Sequence, residues 1–152
     1  MGKEKSEDML VSLDEAEEQV RMMARRLAML YHYMAEVLVE QLGAGKGRET
    51  IKEIIRRYGC DSGTIARAKV EALSLPLTAE NFKAGSDLPR WGWKGDTVIC
   101  EDGVRRERIT YCPLAVVWKE KKSEELGRLY CLVDEAMFRA YNKSECRHKK
   151  IF

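Results

Sequence analysis

The stretch TVICEDGVRRERITYCP, residues 97–113, decides the fold class. It contains two runs of strand-forming residues joined by Glu-Asp-Gly, and an Asp-Gly pair favours the tight turn of a β-hairpin. Pro113 cannot donate to a strand ladder, so we expect the second strand to end before it. Helical patterns lie on both sides of this hairpin instead of alternating with single strands. The sequence therefore predicts an α+β fold with a small antiparallel sheet.

Upstream of the hairpin, the sequence predicts one long N-terminal helix. Residues 12–15, Ser-Leu-Asp-Glu, form a capping box, and Gly43 supplies a stop. Apolar residues between these signals alternate at intervals of three and four, at Leu13, Ala16, Val20, Met23, Leu27, Leu30, Met34 and Val37. Such heptads are typical of a coiled coil, which would allow a homodimer through this helix. We favour a helix laid across its own domain, because the apolar stripe is wider than a narrow seam. The residues that widen it are Ala24, Ala28, Tyr31 and Leu38.

Residues 48–73 predict two shorter helices, with a turn over residues 59–63, Gly-Cys-Asp-Ser-Gly. Two short helices joined by such a turn are typical of a helix-turn-helix motif, so a DNA-binding protein is one alternative. Basic and polar side chains for such contacts are present at Arg56, Arg57, Thr64, Arg67 and Lys69. The second helix has few polar residues that could contact base edges, so nucleic acid is the less favoured partner.

The C-terminal part predicts a short helix near Leu114 to Trp118 and a long closing helix from about Glu124 to Tyr141. Residues 145–152 are compatible with a strand that pairs with the hairpin. We expect a single α+β domain over residues 1–152, with residues 1–11 as a disordered tail. In this fold a long N-terminal helix and a helical layer pack on the small antiparallel sheet, beside a long C-terminal helix.

Composition limits the classes of function. The chain has 152 residues, of which 45% are hydrophobic and 34% charged, as in globular proteins, and a formal net charge of +2. This charge gives no general case for nucleic acid or for an anionic membrane. The charged N-terminus lacks the apolar segment of a secretion signal, and the five cysteines are widely spaced. We therefore expect reduced thiols and a cytoplasmic location, with no membrane partner.

Two cysteines in the last third of the chain are the strongest candidates for chemistry. Cys112 stands where the second strand of the hairpin ends, immediately before Pro113. Cys131 lies in the predicted closing helix, three positions before Asp134. Residues at i and i+3 share one face of a helix, so Asp134 can orient or deprotonate a group that Cys131 touches.

Several short motifs resemble the L-2-amino-thiazoline-4-carboxylic acid hydrolase family. They follow the order expected for the family and are Tyr58-Gly59, Pro76-Leu77-Thr78 with Asn81, Gly92-Trp93, Tyr111-Cys112-Pro113-Leu114-Ala115, Trp118-Lys119-Glu120, Leu126-Gly127, Tyr130-Cys131 with Asp134, and Tyr141-Asn142. The resemblance covers most of the chain. It implies a hydrolase that opens the ring of a cyclic amidine to give N-carbamoyl-cysteine, and it identifies which residues to consider for the site.

Residue chemistry suggests roles for these positions. Ring opening needs a nucleophile, a proton relay and donors for the developing charge. Cys131 or Cys112 would attack or activate water, with Asp134 as base or orienting acid. The candidate substrate-binding residues offer hydrogen-bond donors, a cation for the substrate carboxylate or an aromatic wall, and they are Tyr111, Tyr130, Asn142, Arg108, Arg128 and Trp93. We expect a small-molecule ligand or substrate, no cofactor and no metal.

Two further alternatives stay open at this point. Cys112, Cys131, Cys146 and His148 have the ligand types of a zinc site, although the spacing lacks the close cysteine pair of structural zinc. The second alternative is a ligand-binding or sensory module that keeps the fold and pocket of the family without turnover.

Overall fold

The computed structural model describes residues 10–89, 91–99, 101, 103 and 105–144. The predicted strand over residues 145–152 and most of the predicted N-terminal tail lie outside these residues. The elements in chain order are α1 (Leu13–Leu42), α2 (Ala44–Ala72), α3 (Phe82–Gly85), β1 (Lys94–Ile99), β2 (Arg105–Tyr111), α4 (Pro113–Glu120), α5 (Glu124–Tyr130) and α6 (Leu132–Asn142).

Helix α1 begins as the capping signal predicts and presents two distinct apolar faces. The Ser12 hydroxyl accepts a hydrogen bond from the backbone N–H of Glu15 at 3.2 Å, and the helix ends at Gly43, whose φ is +80°. The buried face consists of Ala24, Ala28, Tyr31, His32 and Ala35. The helix therefore does lie across its own domain, as favoured, through the residues that widen the stripe. The heptad residues from Met23 to Val37 remain exposed to solvent.

Helix α2 is continuous over residues 44–72, so the predicted turn at residues 59–63 is wrong. Gly59 and Gly63 do not end a helix but allow α6 to approach its backbone. A Cβ atom at Gly59 would lie 2.5 Å from the carbonyl oxygen of Val133, and one at Gly63 would lie 2.1 Å from that of Met137. Because glycine has no side chain, the backbones of α2 and α6 can pack closely at these two positions. Without its turn, the helix-turn-helix motif is absent from this segment.

The β-hairpin forms as predicted. β1 and β2 pair antiparallel, with Asp96 opposite Arg108 and Thr97 opposite Glu107. The turn contains Gly103 at a φ of +72°, a conformation that suits glycine. The two strands are largely exposed, and the core lies between the helices. The α+β class is thus confirmed, with a mostly helical body and a two-stranded hairpin at its edge.

The predicted closing helix is in fact two helices, α5 and α6, which meet at Cys131. The backbone N–H of Cys131 bonds to the carbonyl of Arg128, and the N–H of Asp134 bonds to the carbonyl of Cys131. Both bonds span three residues, which marks a tighter turn between two α-helical segments. The two segments pack on different neighbours, since α6 lies mainly on α2 whereas α5 also contacts α4 and α1. The closing helix is interrupted where its packing partner changes.

Two buried clusters form the core. The larger one joins α1, α2 and α4 through Ala28, Tyr31, Ala35, Ile51, Ile55, Leu114, Val117 and Trp118. The smaller one joins α2, α3 and α6 through Ala66, Val70, Phe82, Met137 and Tyr141. In the part of the chain that the structure describes, no helix has the length and apolar character needed to cross a membrane.

Candidate functional site

Cys112 occupies the junction between the hairpin and the helical body. It follows the last residue of β2 and is the N-cap residue of α4, whose first helical position is Pro113. Its carbonyl accepts a hydrogen bond from the N–H of Val116 at 3.2 Å. Proline suits the first position of a helix, so the local sequence ends the strand and begins the helix at this cysteine. The half-buried side chain packs against the larger core cluster.

Cys131 occupies the joint between α5 and α6, where its half-buried thiol interacts electrostatically with three other predicted site residues. Burial raises the pKa of the Cys131 thiol to about 12, and the charge of Asp134 and the thiol of Cys112 act in the same direction. The guanidinium group of Arg128 acts against them and lowers this pKa. The structure thus brings the two cysteines, the carboxylate and one arginine together. At neutral pH, Cys131 is a protonated thiol.

Four aromatic rings pack together next to this cluster of Cys112, Cys131, Asp134 and Arg128. The Tyr31 ring lies 5.2 Å from that of Tyr130 and 5.5 Å from that of Trp118, centroid to centroid. Tyr130 lies 5.7 Å from Trp118 and 6.4 Å from Tyr58. Gly127 makes room for this arrangement, because a Cβ atom there would lie 2.5 Å from the Trp118 ring. Aromatic groups at these distances pack favourably and fix one another in orientation.

Two hydroxyl groups of this aromatic cluster are held in their neutral form. Burial raises the pKa of Tyr130, and the interaction with the Tyr58 side chain raises it further. Burial also raises the pKa of Tyr31, whose hydroxyl donates to the carbonyl oxygen of Leu126 at 2.6 Å. The charge of Asp134 contributes to the shift at Tyr130, as it does at Cys131. The cluster therefore offers neutral hydroxyl and thiol donors next to a single carboxylate.

The other predicted binding residues are divided between this cluster and the rest of the molecule. Trp93 is half-buried against the larger core cluster, which Cys112 and Tyr130 also contact. Tyr111 lies at the base of the hairpin, where the guanidinium group of Arg21 is 5.9 Å from its ring centroid. Arg108 is exposed on the hairpin and donates to Asp96 at 2.9 Å. Of the two predicted cations, Arg128 is therefore the one that acts on Cys131.

Asn142 belongs to a different part of the structure. Its amide donates to the carbonyl of Leu77 at 3.2 Å, and its side-chain oxygen accepts from Ser144. The neighbouring Tyr141 hydroxyl donates to the carbonyl of Thr78 at 2.9 Å. Along a helix, eleven residues correspond to about 16 Å, so Asn142 lies far from Cys131. Its contacts attach the end of α6 to the segment before α3.

Sequence reasoning did not select Tyr31 and Tyr58 for the site. The sequence marks Tyr31 as an apolar residue of α1, and Tyr58 as an apolar residue of the following helix and the first residue of a family motif. Their contacts with Tyr130 join residues far apart in the chain. The available signal was the Tyr58-Gly59 pair, since Gly59 brings α6 close to α2 just beside Tyr58.

Two other kinds of site can be compared with this cluster within the described residues. No group of three His, Cys, Asp or Glu side chains there is placed to hold a metal ion. Two members of the alternative zinc set, Cys146 and His148, fall in the part of the chain that the structure leaves undescribed. An open depression of about 430 Å³ lies on α2, lined by Lys46, Glu49, Thr50, Glu53, Ile54 and Arg57. It includes none of the predicted site residues.

Comparison with known proteins identifies the family. A model of the family described as L-2-amino-thiazoline-4-carboxylic acid hydrolase matches residues 21–151, which is most of the chain. No curated protein and no solved structure matches the sequence. The family match covers both cysteines, Asp134 and the aromatic residues that surround them. This chain belongs to the L-2-amino-thiazoline-4-carboxylic acid hydrolase family.

Proposed function

We propose that this protein hydrolyses a cyclic amidine, opening the ring of 2-amino-thiazoline-4-carboxylate or a close analogue at Cys131. The observation that carries the proposal lies at the joint between α5 and α6, where Asp134, Cys112 and Arg128 all act electrostatically on the Cys131 thiol. A half-buried thiol beside a carboxylate and a cation is a suitable set of groups for attack on an electrophilic carbon. Membership of the hydrolase family agrees with this chemistry.

The reaction has two stages. The Cys131 thiolate adds to ring carbon C2, and the ring C–S bond then breaks, so that the substrate's own sulfur leaves and takes up a proton. The product of this stage is an isothiourea attached to Cys131. Water then adds to the same carbon and displaces Cys131, which yields N-carbamoyl-cysteine and regenerates the enzyme. One water molecule is consumed, and no redox change occurs.

The raised pKa of Cys131 sets a condition on the first stage. With a pKa of about 12, the resting thiol is almost fully protonated at neutral pH. The negative charge of Asp134 is one of the causes. A protonated amidine carries a positive charge, and its pairing with Asp134 would remove that cause and place a cation beside the sulfur. An opposite charge nearby lowers the pKa of a thiol, so the substrate itself would activate Cys131.

The surrounding residues have roles in binding. Arg128 is exposed at the edge of the cluster and already lowers the pKa of Cys131, so it can pair with the substrate carboxylate. Tyr130 supplies a neutral hydroxyl for hydrogen bonding. Cys112 is the second thiol, and we assign it to positioning. Arg108 has its partner in Asp96 and is not needed in this arrangement.

The test is turnover of the thiazoline by purified protein, measured as N-carbamoyl-cysteine formed and as new thiol released. Cys131→Ser should lower the rate by at least about 100-fold, because a serine hydroxyl is a much weaker nucleophile at neutral pH. Cys112→Ser should retain part of the activity. Cys60→Ser is the matched control, since Cys60 is exposed on α2, and it should leave the rate unchanged.

Two results would overturn the proposal. Full activity of Cys131→Ser would remove this thiol from the mechanism. Saturable binding of the thiazoline without its consumption by the wild-type protein would instead identify a ligand-binding module of the same fold. The protonated thiol of the resting cluster favours this second candidate.

A further inference from the structure

Helix α1 carries an exposed apolar stripe that its own domain does not cover. We name it the α1 seam, and it consists of Met23, Leu27, Leu30, Met34 and Val37. These side chains are between 42% and 65% exposed. They follow the heptad spacing of the sequence, whereas the core uses the neighbouring residues Ala24, Ala28, Tyr31 and Ala35. The helix thus has one apolar face packed in its own domain and another facing solvent.

The size of the α1 seam is that of an interaction surface. Five apolar side chains at about half exposure, with the half-exposed Tyr33 beside them, form a patch on the order of 500 Å². Monomeric proteins rarely expose larger contiguous apolar patches. With a polar rim, this area approaches the roughly 800 Å² that each partner buries in a standard interface. Apolar residues at heptad spacing pack against a second helix with the same spacing, so the expected partner is a helix.

We propose that the α1 seam binds the α1 seam of a second copy of this chain, with the two helices antiparallel. A copy of the same helix provides the matching heptad spacing, and a twofold axis makes the contact self-complementary. The proposal concerns assembly and is independent of the proposed function.

The charges beside the α1 seam determine the orientation. Arg26 and Glu40 flank it on one side, where both are exposed and form no ion pair or hydrogen bond with another described residue. The opposite flank is formed by Ala24 and Tyr31, which are buried in their own domain. Parallel helices would place the exposed flank of one chain against this buried flank of the other. Antiparallel helices instead place the two exposed flanks together, so that Arg26 meets the partner's Glu40 in both symmetric positions.

The same register aligns the apolar residues. When Arg26 pairs with the partner's Glu40, Leu27 packs against the partner's Val37, and Leu30 packs against the partner's Met34. The twofold axis then passes near Tyr33. The overlap covers about three heptads, which is enough for a short coiled-coil contact.

The N-terminal part of α1 lies outside this overlap for a structural reason. The segment before the hairpin packs there, since a Cβ atom at Gly92 would lie 2.7 Å from the Val20 side chain. Arg21 also lies against the Tyr111 ring at the base of the hairpin. A partner helix cannot run along this part of α1 without meeting those groups. The α1 seam therefore begins at Met23.

The test is the molecular mass in solution, measured by analytical ultracentrifugation over a range of protein concentrations. We expect a reversible dimer for the wild type. Leu30→Lys should raise the dimer dissociation constant at least about 100-fold, because the twofold axis buries two unpaired ammonium groups. Leu13→Lys is the matched control, because Leu13 has the same heptad spacing and is 55% exposed but lies outside the overlap. It should leave the dissociation constant unchanged.

A charge exchange tests the orientation. Arg26→Glu alone places like charges at both symmetric contacts and should weaken the dimer, whereas Arg26→Glu combined with Glu40→Arg should restore it. Both substitutions affect exposed side chains, and circular dichroism should show the same helix content in every variant. A wild-type monomer at all concentrations would overturn the proposal. Loss of the dimer with Leu13→Lys, or no rescue by the double exchange, would overturn the antiparallel register.

Discussion

The close contact between α2 and α6 at Gly63 leads to a specific stability prediction. In Gly63→Ala, the new Cβ atom would lie 2.1 Å from the Met137 carbonyl oxygen and 3.0 Å from the Cβ of Ala140. The first of these atoms belongs to the backbone of α6, so no rotamer change can relieve the collision. One of the two helices must move. The contact between α2 and α6 is the most extensive between any two described helices, so that movement disturbs much of the packing.

The expected size of the effect follows from two opposing contributions. Overpacking in a core costs typically about 1–3 kcal/mol, and backbone collisions belong to the upper part of that range. Alanine in place of glycine inside a helix returns up to about 1 kcal/mol. We therefore expect Gly63→Ala to lower the free energy of unfolding by about 2 kcal/mol. In a chain of this length, this corresponds to a decrease in Tm of about 4–8 °C.

Urea denaturation followed by circular dichroism measures this change, and Gly45→Ala is the matched control. Gly45 lies in the same helix, but a Cβ atom there would have no neighbour within 4 Å. Gly45→Ala should raise the free energy of unfolding by up to about 1 kcal/mol through helix propensity alone. If Gly63→Ala proved as stable as Gly45→Ala, the close approach of α6 to α2 at this point would be refuted.

Two further predictions concern the site cluster. Tyr31→Phe removes the 2.6 Å hydrogen bond to the Leu126 carbonyl and should cost about 1 kcal/mol in urea denaturation. Tyr33→Phe removes only an exposed hydrogen bond from Lys121 and should change stability by less than about 0.5 kcal/mol. Equal effects of the two substitutions would contradict the buried contact of Tyr31. The raised pKa of Cys131 means that the unfolded chain releases this proton at lower pH than the native chain. Stability should therefore fall as pH rises from about 9 to about 12, and this fall should be smaller in Cys131→Ser; identical pH profiles would contradict the raised pKa.

The helices of the N-terminal half show what the sequence pattern can and cannot predict. The capping box and heptads of α1 define its start, its length and both of its apolar faces, because these depend on local spacing. The turn predicted in α2 is wrong because glycine has two structural uses. It ends helices, and it also permits close approach between helices, which depends on α6 residues more than 70 positions away in the chain. Local patterns do not distinguish the two uses.

The candidate site could likewise be predicted only in part, because some of its features depend on tertiary contacts and not on local patterns. Cys112, Cys131 and Asp134 could be selected because their residue types and motifs stand out in the sequence. The interruption of the helix at Cys131 could not be predicted, because no glycine or proline marks it and it coincides with a change of packing partner. The same limit applies to Tyr31 and Tyr58, whose place in the cluster results from tertiary contacts. Asn142, which motif position suggested, instead attaches the end of α6 to Leu77.

Intact-mass spectrometry of the protein quenched during turnover can detect the proposed attack by Cys131 on the thiazoline ring. We expect the wild type to gain the mass of the opened substrate as an isothiourea, and peptide mapping to place this adduct on Cys131. Cys131→Ser should gain no such mass under the same conditions. Product formation by the wild type with no adduct on Cys131, or with the adduct on another cysteine, would exclude Cys131 as the attacking group.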